Sequence, residues 1–434
     1  MIYTSVRLSN VVSPAPYAME ALARSVYLNT KQTIIHPFAQ APELSPWNWT
    51  GQIKGRDAPP VHAQSAILVS ALTGEILFEQ NADMLIPPAS MTKLVGIYTA
   101  LRAVESGEAN LNDSVNLPPE SWSRNIPPGS SLMFLGPGQQ VSLDEILEGM
   151  AVVSGNDAAI ALAYYISGSV PAFVERMNQE VRRLGLLDTH FVEPSGLSEH
   201  NQTTAREFAS FSRVYIREFP DALERYHAKT RFAHPQPHNL LPGHTESPVY
   251  QRATNTMLET LSGCDGLKTG FIYESGFNIT LTVERNGIRY IAVLMGGPGK
   301  SMREGSSLRS TDGTALMDWV YKNRNVRETV ESVPIPLTVW AGREQGLWAI
   351  PAGSGYLITP ANVELAIKTK VNHSITAPIN AGEQVGMVKY TLNGETVHTV
   401  PLIADRNIST ASLPIQFIDW LAERVSRHLS EILF

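Results

Sequence analysis

Ser90 and Lys93 stand three residues apart, a spacing that can make a nucleophile. Met91, Leu94, Tyr98, Leu101 and Val104 recur at helical spacing after Ser90, and Gly107 supplies a stop. Residues three apart on a helix share a face, so the two side chains can meet. A serine hydroxyl is a weak nucleophile until a neighbouring base takes its proton. A lysine is that base when burial or a nearby cation lowers its pKa. Ser90 also falls near the helix start, where free backbone N–H groups can polarise an oxyanion. Ser-x-x-Lys alone arises by chance in many sequences, so its weight depends on what surrounds it.

Two more motifs follow in order. Ser154-Gly155-Asn156 falls on a turn between two apolar helices. The first opens at a capping box, Ser142-x-x-Glu145, and the second is alanine-rich to about Ile166. Lys268-Thr269-Gly270 precedes strands over Phe277–Glu284 and Ile288–Met295, joined at Asn286-Gly287, a hairpin signal. Upstream, Ala66–Val69 and Glu75–Phe78 flank Thr73-Gly74 as a first hairpin. A helix is expected over Val170–Leu184, with Ser169 as cap and Pro171 in its first turn, and another over Ser307–Asn323. Val115–Gly138, Asp188–Ala205 and Tyr226–Val249 read as irregular. Taken singly, Ser154 and Asn156 read as helix caps and Lys268 as a solvated strand lysine.

The 434 residues exceed one compact core, so two or more domains are expected. The net charge of −7, spread without runs, excludes the basic patch of a nucleic-acid binder. One cysteine, Cys264, excludes an intrachain disulfide framework. His227, His234, His238 and His244 lie in a proline-rich loop rather than as ligand pairs on regular elements, so no metal is expected, and no cofactor. No stretch approaches a membrane span, and Met1–Lys31 has no continuous apolar core of a signal peptide.

The boundaries read as an extension over 1–60, with a short helix at Ala18–Val26, a main domain over 61–328, a small β domain over 329–411 and an amphipathic helix over 412–434. β runs of the third segment are Leu337–Trp340, Val363–Thr369, Gly386–Leu392 and Thr396–Leu402. In the last, Phe417, Ile418, Leu421, Val425, Leu429, Ile432 and Leu433 fall along one side.

Ser90-Met91-Thr92-Lys93, Ser154-Gly155-Asn156 and Lys268-Thr269-Gly270 form the trio of β-lactamases and penicillin-binding proteins. Around them the chain resembles the low-molecular-mass penicillin-binding proteins that act as D-alanyl-D-alanine carboxypeptidases. The likeness runs from about Pro60 to Asn323, through Pro88-Ala89-Ser90, Pro194-Ser195-Gly196-Leu197, Asp265-Gly266-Leu267-Lys268 and Val293-Leu294-Met295-Gly296-Gly297. Ala377-Pro378-Ile379 and Gly382-Glu383-Gln384-Val385-Gly386 extend it into the small β domain.

The resemblance implies an α/β (α+β) domain of the penicillin-binding/β-lactamase type, an antiparallel sheet flanked by helices, followed by a small all-β domain. It implies a peptidoglycan stem peptide ending in D-Ala-D-Ala as substrate and β-lactams as covalent inhibitors. Ser90 is then the nucleophile and Lys93 its base. Backbone N–H groups of Ser90 and Phe271 form the oxyanion hole, Ser154 and Lys268 relay a proton to the leaving D-alanine, and Asn156 holds the peptide or Lys93. Lys268, Thr269 and Gly270 bind the substrate's end. These enzymes often carry an arginine for the carboxylate just before an Asn-x-Leu-Leu-like segment. Here Thr254 precedes Asn255-Thr256-Met257-Leu258, and Arg252, two residues earlier, is the substitute. Phe271-Ile272 is apolar where polar residues are common. The subgroup acts outside the cytoplasm, on the membrane's outer face through its C-terminal helix. The alternative here is that the helix packs on the β domain or on a second copy.

Two competing functions remain open. A serine β-lactamase needs a carboxylate that activates water, and Glu193 is the candidate. A non-catalytic peptidoglycan-binding protein needs none of Ser90, Lys93, Ser154 and Lys268.

Overall fold

Thr73-Gly74 turns the chain as expected: Gly74 takes φ +80° and its N–H donates to the Ser70 carbonyl at 3.0 Å. The structure, a computed structural model, describes residues 45–46, 58–329, 334–353, 355–372, 375–392 and 394–420. The helix expected at Ala18–Val26 and the stripe from Leu421 onward lie outside them.

The first strands are β1 (Ser45–Pro46), β2 (Ser65–Ser70) and β3 (Glu75–Gln80). A 3₁₀ turn, Ala89–Met91, then leads into α1 (Thr92–Glu105). β4 (Ser114–Val115) and β5 (Val141–Ser142) pair across the irregular stretch. α2 (Leu143–Val152) opens at the expected capping box, with Ser142 and Glu145 each accepting the other's backbone N–H. α3 (Asn156–Ser167) follows, then α4 (Val170–Arg183), whose first turn donates from Ala172 N–H to Ser169 Oγ at 3.3 Å.

α5 (Ala205–Glu218) was not read from the sequence. β6 (Arg231–His234) and β7 (Val249–Arg252) form a hairpin, so the segment expected to be loop contributes strands. β8 (Cys264–Ile272), β9 (Gly276–Arg285) and β10 (Ile288–Gly297) form a meander. Its second turn places Asn286 and Gly287 at φ 54° and 75°, as a primed turn requires. α6 (Met302–Asn323) starts earlier than expected because Ser301 caps it, accepting from Glu304 N–H at 3.2 Å.

The main sheet runs β1-β3-β2-β10-β9-β8, antiparallel except for the short β1–β3 pair. Alternation along β2 and β10 sends Ile67, Val69, Ile291 and Val293 into a core with α1–α5, and Ala66, Leu68, Ala292 and Leu294 into a second core with α6. Both faces are covered, so these strands read as continuous apolar runs. β8 ends the sheet with one edge unpaired by any described strand.

After α6 come β11 (Arg324–Glu328), β12 (Ile335–Trp340), β13 (Gly346–Pro351), β14 (Tyr356–Pro360), β15 (Leu365–Val371), β16 (Ile375–Thr376), β17 (Gln384–Leu392) and β18 (Glu395–Ala404). Six of them make a sheet ordered β15-β17-β18-β13-β12-β16, over a third core holding Val339, Leu347, Val388 and Leu402. β11 pairs with β14. Residues 413–420 are helical.

Candidate active site

Ser90 sits in the 3₁₀ turn, one residue after Ala89 at φ 52° and two before α1 begins. Lys93, in the first turn of α1, is fully buried. Its Nζ lies 3.0 Å from Ser90 Oγ and 2.6 Å from Asn156 Oδ1, and it also meets the Ser195 carbonyl. Two of these partners only accept, and the third is a hydroxyl. A neutral amine fits the set: two N–H bonds go to the two carbonyl oxygens, and the lone pair faces the serine O–H. Burial lowers the Lys93 pKa to about 7, against the opposing charges of Glu193 and Asp157.

Asn156 is held from below. Its N–H donates to the Ser131 carbonyl at 2.8 Å, and neighbouring Asp157 accepts the N–H groups of Met133, Phe134, Leu135 and Ala158. Burial pushes the Asp157 pKa up, and the four donors oppose it. Ser154, at φ 62°, has its hydroxyl buried with no hydrogen-bond partner among the described residues. A buried hydroxyl without a partner is costly, so it is available to a bound ligand.

The Glu193 carboxylate holds its own loop together. It accepts from Ser195 N–H (2.7 Å), Ser195 Oγ (2.5 Å), Gly196 N–H (2.6 Å), Ser198 N–H (3.3 Å) and Asn201 Nδ2 (2.9 Å). This folds the loop that presents the Ser195 carbonyl to Lys93. Asn201, fully buried, also donates to Thr92 Oγ1 at 3.2 Å, tying that loop to α1. Asn201 was missed in the sequence, although Thr204-x-x-Glu207, which caps α5, marks the end of the loop that it anchors.

The third motif lies on the edge strand β8. A Cβ on Gly270 would stand 2.5 Å from the Pro88 carbonyl and 3.2 Å from Ser90 N, so only glycine lets this strand reach the serine backbone. Gly196, at φ +82°, presses the same peptide from the other side, with a hypothetical Cβ 2.0 Å from the Ala89 carbonyl. Lys268 is buried, with Nζ donating to the Thr269 carbonyl at 3.1 Å. Burial, then the charges of Lys93 and Arg309, hold its pKa well below the usual lysine range. His227, expected in a loop, is buried behind it, with Nδ1 3.1 Å from the Leu267 carbonyl and Nε2 2.6 Å from the Tyr215 hydroxyl. Burial pushes the His227 pKa down to about 3, so the ring is neutral. His234 meets Gln139 at 3.0 Å and His238 meets Glu145 at 2.8 Å.

The structure therefore brings Ser90, Lys93, Asn156 and the backbone at Gly270 together, and lines Lys268 up behind them. It does not bring in Arg252. That side chain is 76% exposed, and its carboxylate neighbour is Glu259 at 4.0 Å. Thr254 instead accepts from Thr269 Oγ1 at 2.8 Å.

Comparison with known proteins shows the family. A family model described as D-alanyl-D-alanine carboxypeptidase matches residues 52–299, and one described as penicillin-binding protein 5, C-terminal domain, matches residues 328–410. The chain is similar to D-alanyl-D-alanine carboxypeptidase DacC of Escherichia coli, 32% identical over 367 residues, 81% of this chain and 86% of that one. To DacA of Haemophilus influenzae it is 30% identical over 375 residues, 85% and 90% of the two chains. The crystal structure of penicillin binding protein 5 from Haemophilus influenzae superposes with a TM-score of 0.67 at 29% identity, covering 82% of this chain and 100% of that one. The chain thus belongs to the D-alanyl-D-alanine carboxypeptidase family, with the β domain of penicillin-binding protein 5 behind its peptidase domain.

Proposed function

We propose that Ser90 is the nucleophile of a serine-type carboxypeptidase that removes the terminal D-alanine from peptidoglycan stem peptides. The observation that carries this is the set of partners around the Lys93 amine. Lys93 takes the Ser90 proton as Oγ bonds to the carbonyl carbon of the penultimate D-alanine. The N–H groups of Ser90 and Phe271 receive the oxyanion. Lys268 and Ser154 pass a proton to the departing nitrogen, the C–N bond breaks, and D-alanine leaves. Water then hydrolyses the ester. The substrate's carboxylate binds to Lys268 and to the hydroxyls of Thr269 and Thr254. Asn156 positions Lys93. β-Lactams acylate the same serine.

This chemistry acts on cell-wall material outside the cytoplasm, and we place the enzyme there, with the helix from residue 413 as its contact with a membrane. Mass spectrometry after incubation with a penicillin tests the reading. A long-lived adduct on Ser90, absent in Ser90→Ala along with D-alanine release, is expected. Rapid turnover indicates a β-lactamase, and no adduct indicates a binding protein. D-alanine release by folded Ser90→Ala overturns the mechanism.

A further inference from the structure

Three aromatic rings form a ladder from α6 out to solvent along the end of β8. Phe277 on β9 is 2% exposed. Its ring lies over Gly305 of α6, where a Cβ would come within 1.9 Å of it. Phe271 on β8 stacks on Phe277 with centroids 4.5 Å apart and planes at 35°. Tyr273 meets Phe271 edge to face at 5.3 Å and 71°, yet is 91% exposed. An exposed aromatic ring that rests with its edge on a stacked pair offers apolar surface to a partner.

Its position says which part of the substrate it faces. Residues alternate along a strand, so Thr269 and Phe271 share one side of β8, and Tyr273, the first residue of the turn after it, meets the Phe271 ring. With Thr269 at the carboxylate end and Phe271 at the scissile carbonyl, the chain order carries Tyr273 on toward the acyl side of the bond being cut. The turn that carries it is fixed: Asn278 Nδ2 donates to Ser275 Oγ at 3.1 Å and to the Pro87 carbonyl at 2.9 Å, which ties it to the segment leading into Ser90. The free edge of β8 is where an extended peptide can add as a strand.

We infer that Phe271 and Tyr273 form an apolar platform for the acyl side of the substrate, the residue preceding D-Ala-D-Ala in a peptide or the side-chain ring of a penicillin. This rests on Ser90 being the nucleophile. The platform selects among acyl groups and takes no part in proton transfer.

The test compares acylation of Ser90 by benzylpenicillin, which carries a phenyl ring on its acyl side, and by 6-aminopenicillanic acid, which carries none. The quantity read is the ratio of their second-order acylation rates. Tyr273→Ala is expected to lower it about three- to tenfold, and Tyr273→Phe to keep it within about twofold. An unchanged ratio in Tyr273→Ala, or an equal loss in Tyr273→Phe, overturns the platform while the nucleophile stands. No labelling of Ser90 by either compound in the unaltered chain overturns the nucleophile, and the platform with it.

Discussion

Thr269 donates from Oγ1 to Thr254 Oγ1 at 2.8 Å, which puts a second hydroxyl where the resembled enzymes carry a guanidinium. In the proposed binding mode the end of the substrate meets one buried lysine, Lys268, and two neutral hydroxyls. A hydroxyl bond to a carboxylate is weaker than a bidentate one from arginine.

Thr254→Arg is therefore expected to lower KM for a peptide ending in free D-Ala-D-Ala about tenfold, and to change KM for the C-terminally amidated peptide much less. Arg252→Ala is expected to raise the first KM less than threefold, because an exposed charge acts through solvent. Steady-state assay of D-alanine release checks both. A larger loss in Arg252→Ala than the gain in Thr254→Arg reverses the assignment.

The rate of penicillin acylation should depend on pH through Lys93. Burial holds this group at about 7, and only the neutral amine accepts the serine proton. Below that value the second-order rate falls about tenfold per pH unit, and above it the rate levels. Stopped mass spectrometry from pH 5 to 9 reads the profile, and a flat line through pH 7 rejects Lys93 as base.

Glu193→Gln separates a structural carboxylate from a water-activating one. Removing the negative charge lowers the Lys93 pKa further, because Glu193 raises it. The acidic limb of the acylation profile is expected to move to lower pH. The loop loses charge-assisted bonds, so stability falls by about 1–3 kcal/mol. Loss of the penicilloyl adduct should keep its rate within about twofold. A tenfold longer-lived adduct in thermal-shift-corrected samples makes Glu193 the base for water instead.

The helical residues 413–420 expose Leu413, Ile415, Phe417, Ile418 and Trp420, while Asp419 is buried and accepts the Ala341 N–H at 2.8 Å. Docking and an outward apolar face thus coexist on one turn. Co-sedimentation with vesicles is expected to fall at least fivefold for a chain ending at Ser412. Equal partitioning of the two chains rejects membrane contact.

Signals confined to a few neighbours were legible in the sequence. Ser90 and Lys93 meet because a turn of helix brings i and i+3 together. Ser142-Glu145, Ser169 and Asn286-Gly287 each specify their own local geometry. What depends on distant partners was not. α5 was legible but passed over, since Phe208, Phe211 and Tyr215 recur at helical spacing after the Thr204 cap; only the burial of Arg213, which donates from Nε to the Ala71 carbonyl at 3.1 Å, depends on distant partners. β6 hides in a proline-rich stretch; it pairs with β7, and its Phe232 joins the first core. The task of Glu193 depends on Asn201, eight residues on.

The chain leaves α6 at Asn323 and enters β11 at the next residue, which pairs over five positions with β14. Ile358 and Leu392 of the β domain share a core with Leu316 and Trp319 of α6. A seam with both a ladder and a shared core resists twisting, so the β domain is a stiff mount for the peptidase. Under the proposed membrane contact, such a mount would set the stand-off and tilt of the cleft, so that wall strands lying at that height would come within reach.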